Sequence, residues 1–265
     1  MGKQFDRVCS LDNLVLAYKR AFRKRSRPGP DSISWLDINP NREEYILELQ
    51  TQLLSEEFAP SFPAIETKSY PCGSINKVIT YDVLNVRERL VEYAIKEVSS
   101  LYEEVFLPFS CAYRKGKDEK LLMQLVEDAL FEGYIYFTSV DIKSFFGSID
   151  RRILEKEILD FTKDEKLVTL IKRCLFLEDE KTGIMPGHVL SPLLSNVFLH
   201  PVDVELQGMR VIRYGDNYIF PQTDDTKWLE KAEIVSCVLQ KRNLQLNQGK
   251  TRLLIEPNPK NILLD

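Results

Sequence analysis

The sequence lacks several features that mark common classes of protein. None of its apolar runs approaches the roughly 18 residues that a membrane-spanning helix requires, and its first residues show no secretory pattern. Two histidines argue against a histidine-based catalytic triad or a histidine-rich metal site. The five cysteines are odd in number and have no Cys-x-x-Cys spacing. They predict thiols in a reducing cytoplasm rather than a disulfide framework or a zinc site.

An excess of positive charge is also missing. The net charge is −4 and the sequence pI is near 5.5, which is not typical of a nucleic-acid-binding protein. The basic residues are nevertheless concentrated locally, in the stretch that contains Lys19, Arg20, Arg23, Lys24, Arg25 and Arg27. This cluster predicts either a phosphate-binding patch or a solvated helix end, where cations favour the helix dipole.

What the sequence contains is a mixture of helical and extended periodicities over 265 residues. Apolar spacing predicts helices after Ser10 and Asn41, over 86–102, from about 118, after Asp150, and over 167–175, 191–206 and 228–241. Pro201 is expected to interrupt the helix over 191–206. Extended segments are predicted over 65–81 with a turn at Gly73, over 134–140, on both sides of Gly215, and over 252–255. This pattern predicts an α+β fold in which helices cover one face of a small sheet.

Two aspartates each follow an apolar, strand-like run. Asp141 lies in SVDIKSFFGSID and Asp216 lies in VIRYGDNYIF. A single aspartate at a strand end is commonly a turn or helix cap. Two such carboxylates brought together are typical of a two-metal nucleotidyl-transfer site, because Mg²⁺ prefers oxygen ligands.

The order of the segments resembles the prokaryotic reverse transcriptases related to group II intron enzymes. VDIKSFFGSID, GIMPGHVLSPLLSNVFL, YGDN and LNQGKT resemble motifs A to D of that family, and RPGPDSISW, VRERLVEYAI and FSCAYRKGK resemble its N-terminal extension and finger motifs. The resemblance covers about residues 25–255. It implies a right-hand polymerase with fingers and palm, and an antiparallel palm sheet packed on helices. Residues 1–133 are then the N-terminal extension and fingers, residues 134–265 the palm, and the thumb is absent or truncated.

The resemblance also assigns catalytic roles. Asp141, Asp216 and the carbonyl of Ile142 are expected to hold two Mg²⁺ ions, or Mn²⁺ in their place. Lys250 is expected to protonate the departing pyrophosphate, with a surface lysine as the alternative. Asn217 is a departure, because the family's YADD box has a second aspartate there.

Further residues are expected to bind the incoming nucleotide. Phe146 matches the aromatic that excludes a 2′-hydroxyl, with a core aromatic as its alternative. Lys68 and Lys77 flank the predicted hairpin and would clamp the triphosphate. Gly187 would let the backbone approach base and sugar, and Tyr214 would pack beside the primer end or fill the strand pair.

The resemblance implies an RNA template, a DNA primer or product, and deoxynucleoside triphosphates as partners. Arg87, Arg89 and Arg114 lie in matched finger segments and are expected to contact template phosphates, or else to form structural ion pairs. Together with the basic cluster at Arg23, Arg25 and Arg27, they are the predicted nucleic-acid-binding residues.

Two departures leave two functions open. Asn217 removes one carboxylate, and Pro186 replaces a glutamine that in the family contacts the nucleotide. The protein is then either an RNA-directed DNA polymerase or a catalytically weakened or silent domain that serves as a nucleic-acid-binding scaffold.

The segments HPVDVELQGMRVIRYGDN and EGYIYFTSVDIKSFFGSID most resemble reverse transcriptases of CRISPR adaptation systems. That context implies spacer acquisition from RNA beside an integrase. Antiphage-defence or abortive-infection, retron-like and intron-derived enzymes are the alternatives.

Overall fold

The computed structural model describes residues 3–24, 27–72, 75–99, 103–176 and 180–262, with side chains for all of these except 71, 72, 75–77 and 261. The chain folds into two compact units, each made of two stretches. The first comprises Met1–Tyr102 with Glu155–Leu194, and the second comprises Glu103–Leu154 with Ser195–Asp265. The predicted division of the family's fingers and palm near residue 133 stays a prediction. Across the described ranges, no helix is long and apolar enough to cross a membrane.

Helices and strands are mixed along the chain. The α-helices are α1 (Lys3–Val8), α2 (Leu11–Lys24), α3 (Trp35–Ile38), α4 (Arg42–Leu54), α5 (Val86–Ser99), α6 (Glu119–Phe131), α7 (Phe145–Ser148), α8 (Arg151–Thr162), α9 (Glu165–Leu175), α10 (Ser191–Leu206) and α11 (Trp228–Gln240). The strands are β1 (Ala64–Cys72), β2 (Ile75–Val83), β3 (Ser110–Cys111), β4 (Tyr136–Asp141), β5 (Ile212–Tyr214), β6 (Asn217–Gln222) and β7 (Arg252–Ile255).

The first unit combines helices with one antiparallel hairpin. Helix α5 is buried along most of its length, including Leu90, Val91 and Ala94, and packs against α2. Strands β1 and β2 pair in register from Ala64–Val83 to Cys72–Ile75. The hairpin was predicted from its extended pattern, but its predicted turn residue, Gly73, lies outside the described residues.

The second unit is built on a five-stranded sheet in the order β3-β5-β6-β4-β7. The short β3 runs parallel to β5, and the other pairs are antiparallel. Apolar residues of α6, β4, β5 and β6 form a core cluster that includes Leu122, Val126, Phe137, Ile212 and Ile219. Strand β4 is buried on both faces, because Phe137, Thr138, Ser139 and Val140 are all buried. The predicted α+β class with an antiparallel sheet is confirmed.

Two local predictions need correction. Helix α10 runs through Pro201 without interruption, because Val202, Asp203 and Leu206 beyond it are buried and fix the following turn. Asn41 is at the N-cap of α4, as predicted, but its side chain makes no capping hydrogen bond. A short 3₁₀ turn over Asn39–Asn41 leads directly into that helix instead.

Candidate active site

The sheet of the second unit brings both predicted aspartates to one end of neighbouring strands. Asp141, the last residue of β4, pairs directly with Asn217, the first residue of β6. Asn217 also pairs with Tyr214 of β5, so Gly215 and Asp216 form the tight turn between these strands. Gly215 has φ of +63°, a conformation that glycine adopts without steric cost. The strand register therefore places the Asp216 turn beside Asp141.

The Asp141 carboxylate has two neighbours from the segment after α11. The Asn247 side chain donates from Nδ2 to Asp141 Oδ1 over 2.9 Å, and its backbone N–H donates to the Asp141 carbonyl over 2.8 Å. Lys250 Nζ lies 3.8 Å from Asp141 Oδ2, with 47% of the lysine side chain exposed. Lys250 is therefore near the carboxylate and open to solvent. Asn247 is a site residue that the sequence analysis missed, although LNQGKT contains it beside Lys250.

The side chain of Asn217 is held by the neighbouring strand. The hydroxyl of Ser139, a buried residue of β4, donates to Asn217 Oδ1 over 3.1 Å. That oxygen is the atom of Asn217 best suited to replace a carboxylate oxygen at a cation. Its hydrogen bond to Ser139 gives the residue a structural contact at the start of β6.

The donors at this end of the sheet are oxygen atoms, which suit Mg²⁺ or Mn²⁺. Asp141 and Asp216 supply carboxylates. Ile142 and Leu246 face each other in an isolated antiparallel bridge. The two hydrogen bonds of this bridge join the flanking residues, from the Lys143 N–H to the Gln245 carbonyl and from the Asn247 N–H to the Asp141 carbonyl. The Ile142 carbonyl takes no part in these two bonds. Throughout the described ranges, no cluster of three or more His, Cys, Asp or Glu side chains is suited to hold a metal. Two carboxylates and a carbonyl fit a hard divalent cation.

The two phenylalanines of motif A have different environments. Phe145 is a core residue with 3% exposure, whereas Phe146 is half-buried. The Phe146 ring meets the Tyr113 ring edge to face, with centroids 6.5 Å apart. Of the pair, Phe146 is thus the one with an accessible ring, which is compatible with its predicted role at the sugar.

Tyr113 is a second residue that the sequence analysis did not single out. It follows Ala112, and both have left-handed backbones, with φ of +71° at Ala112 and +61° at Tyr113. A Cβ at Gly215 would lie 3.8 Å from the Tyr113 ring. Burial, followed by the charge of the Asp216 carboxylate, raises the pKa of Tyr113. The Tyr113 ring therefore lies beside the Gly215–Asp216 turn.

Tyr214 is half-buried and packs against the apolar core cluster that contains Leu122 and Ile212. This contact favours the structural alternative, in which Tyr214 fills the strand pair.

Gly187, in the motif B loop of the first unit, has φ of +106°, and a Cβ there would lie 2.1 Å from the carbonyl oxygen of Asp82. The Asp82 N–H also donates to the Pro186 carbonyl over 2.8 Å. A side chain at position 187 would collide with the end of β2, so the close packing on Asp82 requires glycine here. The sequence analysis had instead explained this glycine by the approach of the backbone to a nucleotide.

The same loop carries a buried charged cluster. His188 Nε2 lies 3.0 Å from Asp82 Oδ2, and His188 Nδ1 is hydrogen-bonded to Glu92 Oε1. The second Glu92 oxygen accepts the backbone N–H groups of Val189 and Leu190. Burial opposes a charge on His188, but Glu92 and Asp82 outweigh it and raise the pKa of His188 to about 9. The loop is therefore bound to α5 and β2 by an imidazolium between two carboxylates.

The two predicted triphosphate-binding lysines lie on the hairpin of the first unit. Lys68 of β1 has its Nζ over the Tyr81 ring, 5.2 Å from the centroid. Lys77 lies in β2 opposite Tyr70, and its side chain is outside the described set. Their contact with a nucleotide stays a prediction.

Two of the predicted template-binding arginines point inward. Arg114 has a side chain that is 5% exposed, forms an ion pair with Glu103 at 2.9 Å and donates to backbone carbonyls. Arg89 is 8% exposed and donates to the carbonyls of Arg27 and Leu84. Because these donors are already used inside the protein, the structure favours the structural alternative over phosphate contact, through an ion pair at Arg114 and backbone carbonyls at Arg89.

The remaining arginines are more accessible. Arg87 donates to the Gln52 side chain over 2.9 Å and packs on a phenylalanine ring. Arg27 binds the Glu66 carboxylate at the base of the hairpin. Arg23 is exposed in the last turn of α2, and Arg25 lies outside the described residues. Among the described members of the basic cluster, Arg23 and Arg27 are both exposed, and Arg27 is engaged by Glu66.

Comparison with curated proteins finds relatives encoded in introns. An uncharacterized 91 kDa protein in the cob intron of Schizosaccharomyces pombe is 26% identical over 77% of this chain. A putative COX1/OXI3 intron 1 protein of Saccharomyces cerevisiae is 22% identical over 94%. The group II intron-encoded protein LtrA of Lactococcus lactis subsp. cremoris is 33% identical over 44%. The alignments span only 26%, 31% and 21% of the length of these relatives.

Comparison with solved structures finds telomerases. Apo telomerase from Candida tropicalis superposes with a TM-score of 0.51 and 12% identity, covering 80% of this chain and 48% of the telomerase. The form truncated from its C-terminal domain gives a TM-score of 0.50 and 13% identity, with coverages of 78% and 54%. This likeness supports the right-hand polymerase fold.

The sequence profile described as "Reverse transcriptase (RNA-dependent DNA polymerase)" matches residues 78–263. That span includes the β4 and β5–β6 segments that carry Asp141 and Asp216, and it covers well over half of the chain. The protein belongs to the reverse transcriptase (RNA-dependent DNA polymerase) family.

Proposed function

We propose that this protein is an RNA-directed DNA polymerase that extends a DNA primer on an RNA template from deoxynucleoside triphosphates. The observation that carries the proposal is the strand register that pairs Asp141 with Asn217 beside the Asp216 turn. This arrangement occurs in a chain of the reverse transcriptase family and provides oxygen ligands for divalent cations.

In this mechanism Asp141, Asp216 and the Ile142 carbonyl would hold Mg²⁺, or Mn²⁺ in its place. Bound there, two such ions would supply activation of the attacking hydroxyl and charge stabilisation at the leaving pyrophosphate. Asn247 fixes one oxygen of Asp141 through its 2.9 Å hydrogen bond. Lys250, whose ammonium group is near that carboxylate and accessible, donates a proton to the pyrophosphate oxygen.

The incoming nucleotide is selected and held by side chains of the chain. Phe146 excludes a ribose 2′-hydroxyl with its accessible ring, which favours deoxynucleotides. Lys68 and Lys77 neutralise the triphosphate, and Arg23 binds nucleic-acid phosphates together with its basic neighbours.

A second candidate is a catalytically silent domain that binds nucleic acid as a scaffold. The observation in its favour is the Ser139 hydrogen bond to Asn217 Oδ1, which uses one of the two lone pairs of the oxygen that would replace the missing carboxylate. In this alternative, Asn217 stabilises the start of β6 without completing a metal site.

Primer extension on poly(rA)/oligo(dT) with Mg²⁺ and separately with Mn²⁺ tests both candidates. The polymerase proposal expects extension by the wild type and at least a 100-fold loss in Asp141→Asn, because that change removes a metal-binding charge. Asp128→Asn, which changes an exposed carboxylate of α6, is the matched control. An inert wild type together with an active Asn217→Asp variant would instead establish the silent scaffold.

A narrower proposal concerns the biological setting. We infer that the polymerase serves CRISPR spacer acquisition from RNA. The inference rests on two segments that resemble the reverse transcriptases of CRISPR adaptation systems, namely the link between motifs B and C and the segment that contains motif A. An adjacent integrase gene with a repeat array, and co-purification of that integrase with the protein, are the expected findings. Neighbouring genes of an intron, a retron or an antiphage system without an integrase would overturn this setting and leave the polymerase proposal intact.

A further inference from the structure

A completely buried ion pair lies behind the Gly215–Asp216 turn. Arg213 of β5 and Asp203 of α10 both have side chains with 0% exposure. Asp203 accepts from Arg213 Nε over 2.8 Å and 3.1 Å, and from Nη2 over 2.8 Å. Charged side chains are rarely buried to this degree unless they are paired. This bidentate contact fixes the plane of the guanidinium.

The remaining contacts of the Arg213 guanidinium go to the Gly215 carbonyl in the turn and to two buried polar side chains, Asn196 and Ser110. Nη1 donates to the Gly215 carbonyl over 2.8 Å and to Asn196 Oδ1 over 2.8 Å. The Tyr218 hydroxyl, on the other strand of the hairpin, donates to Asp203 Oδ1 over 3.0 Å. Both strands that flank the turn are thus bound to Asp203, and the peptide group just before Asp216 is bound to Arg213.

The same group of buried residues supports the loop on the other side of the turn. Asn196 Nδ2 donates to the Ala112 carbonyl over 3.1 Å. Ala112 and Tyr113 both have positive φ, which costs a non-glycine residue roughly 1–2 kcal/mol. The surrounding contacts must maintain this conformation, and it places the Tyr113 ring against the turn.

We propose that Arg213 is a positioning residue for Asp216: its buried guanidinium holds the Gly215 carbonyl and thereby sets the direction from which the Asp216 carboxylate meets a divalent cation. The inference rests on the proposed function. The ion pair with Asp203 uses only Nε and Nη2 of Arg213, so the Nη1 bond to the Gly215 carbonyl is a separate, directed contact with the turn. The planar fork of arginine makes several directed bonds at once, which lysine cannot reproduce.

The test compares Arg213→Lys with Arg210→Lys, a matched control at a partly exposed arginine paired with Glu132 on the surface. Mn²⁺ affinity is measured by electron paramagnetic resonance, and kcat and KM for primer extension are measured across a Mg²⁺ titration. We expect Arg213→Lys to weaken Mn²⁺ binding and lower kcat by about 10- to 100-fold, as substitutions behind metal ligands do, with KM for the nucleotide unchanged. Arg210→Lys should match the wild type.

A second variant separates positioning from folding. The double change Arg213→Met with Asp203→Leu removes both charges together, so that no unpaired charge stays buried, and should keep the fold with a smaller loss of thermal midpoint than Arg213→Met alone; it also lacks the bond to Gly215. Weak Mn²⁺ binding in this folded variant supports the proposal. Wild-type Mn²⁺ affinity and kcat in either folded variant overturn it, while the polymerase function stands. A wild type that binds no Mn²⁺ and extends no primer overturns both.

Discussion

The buried His188 predicts a stability loss at alkaline pH. The change to make is His188→Gln, which keeps a polar side chain in the loop but removes the titrating group between Asp82 and Glu92. In the wild type the side chain of His188 is 2% exposed and those of Asp82 and Glu92 are 9% and 0% exposed. The three groups are therefore shielded from solvent, and the positive charge of the imidazolium is needed to offset the two buried carboxylates.

The size of the effect follows from the pKa of His188. A folded value of about 9 against an ordinary 6.5 corresponds to about 3 kcal/mol at 1.36 kcal/mol per pH unit. Because the folded pKa is the higher one, the folded state binds this proton more tightly than the unfolded state. The contribution is complete below pH 6.5 and is lost as the pH rises from 6.5 through about 9.

The assay is urea unfolding between pH 5.5 and 10, which extends about one pH unit beyond each end of the transition from 6.5 to about 9. The chain has two tryptophans, and Trp35 is buried in the same compact unit as His188. A Trp228→Phe background therefore reports the unfolding of that unit by fluorescence. A nuclear magnetic resonance titration of the ring protons gives the pKa directly, since only His188 and His200 contribute signals.

We expect the free energy of unfolding of the wild type to fall by about 3 kcal/mol more than that of His188→Gln over this pH range. At pH 6 the variant should be the less stable protein, because it leaves two buried carboxylates without their cation. Equal pH dependence in the two proteins, or a His188 pKa at or below 6.5, would refute the reasoning.

Three further predictions concern single contacts. Gly187→Ala should lower the free energy of unfolding by about 2–4 kcal/mol, whereas Gly147→Ala, where an added Cβ meets no atom within 4 Å, should change it little; equal urea midpoints would contradict the close packing. Asp164→Ala should lower the free energy of unfolding in urea by about 2 kcal/mol, because the Asp164 carboxylate accepts N–H groups at the starts of both α1 and α9. An unchanged urea midpoint would exclude this double cap. Asn247→Ala should lower kcat for primer extension by about 10-fold with an unchanged circular dichroism spectrum, since it frees one oxygen of Asp141; wild-type kcat would argue against that positioning.

The course of the chain was largely predictable because local periodicity reflects burial. Strand β4, the hairpin at Gly215 and the helices beginning after Ser10 and Asp150 all lie where the apolar pattern indicates. Asp150 accepts the N–H groups of the first turn of α8, as a helix cap does. Pro201 was misjudged, because the burial of the residues after it outweighs the local cost of a proline in a helix.

The charged residues were harder to assign. Arg89 and Arg114 lie in segments that resemble template-binding motifs, yet their donors are used inside the protein. No local pattern distinguishes an arginine that meets solvent from one that meets a carbonyl, because the partner comes from a loop whose path depends on the whole fold. Asn247 was missed for the same reason, since its role arises from a contact with Asp141 more than a hundred positions earlier.

By itself, the sequence determined the family, the succession of the main strands along the chain and the positions of the two candidate metal-binding aspartates, since these depend on residue types at short, ordered spacings. Only the tertiary structure decided which groups surround Asp141 and Asp216. Pairing between β4, β5 and β6 made Asn217 the partner of Asp141 and brought Arg213 behind the turn. Such contacts depend on register and burial between distant segments, and a linear pattern of residues does not encode them locally.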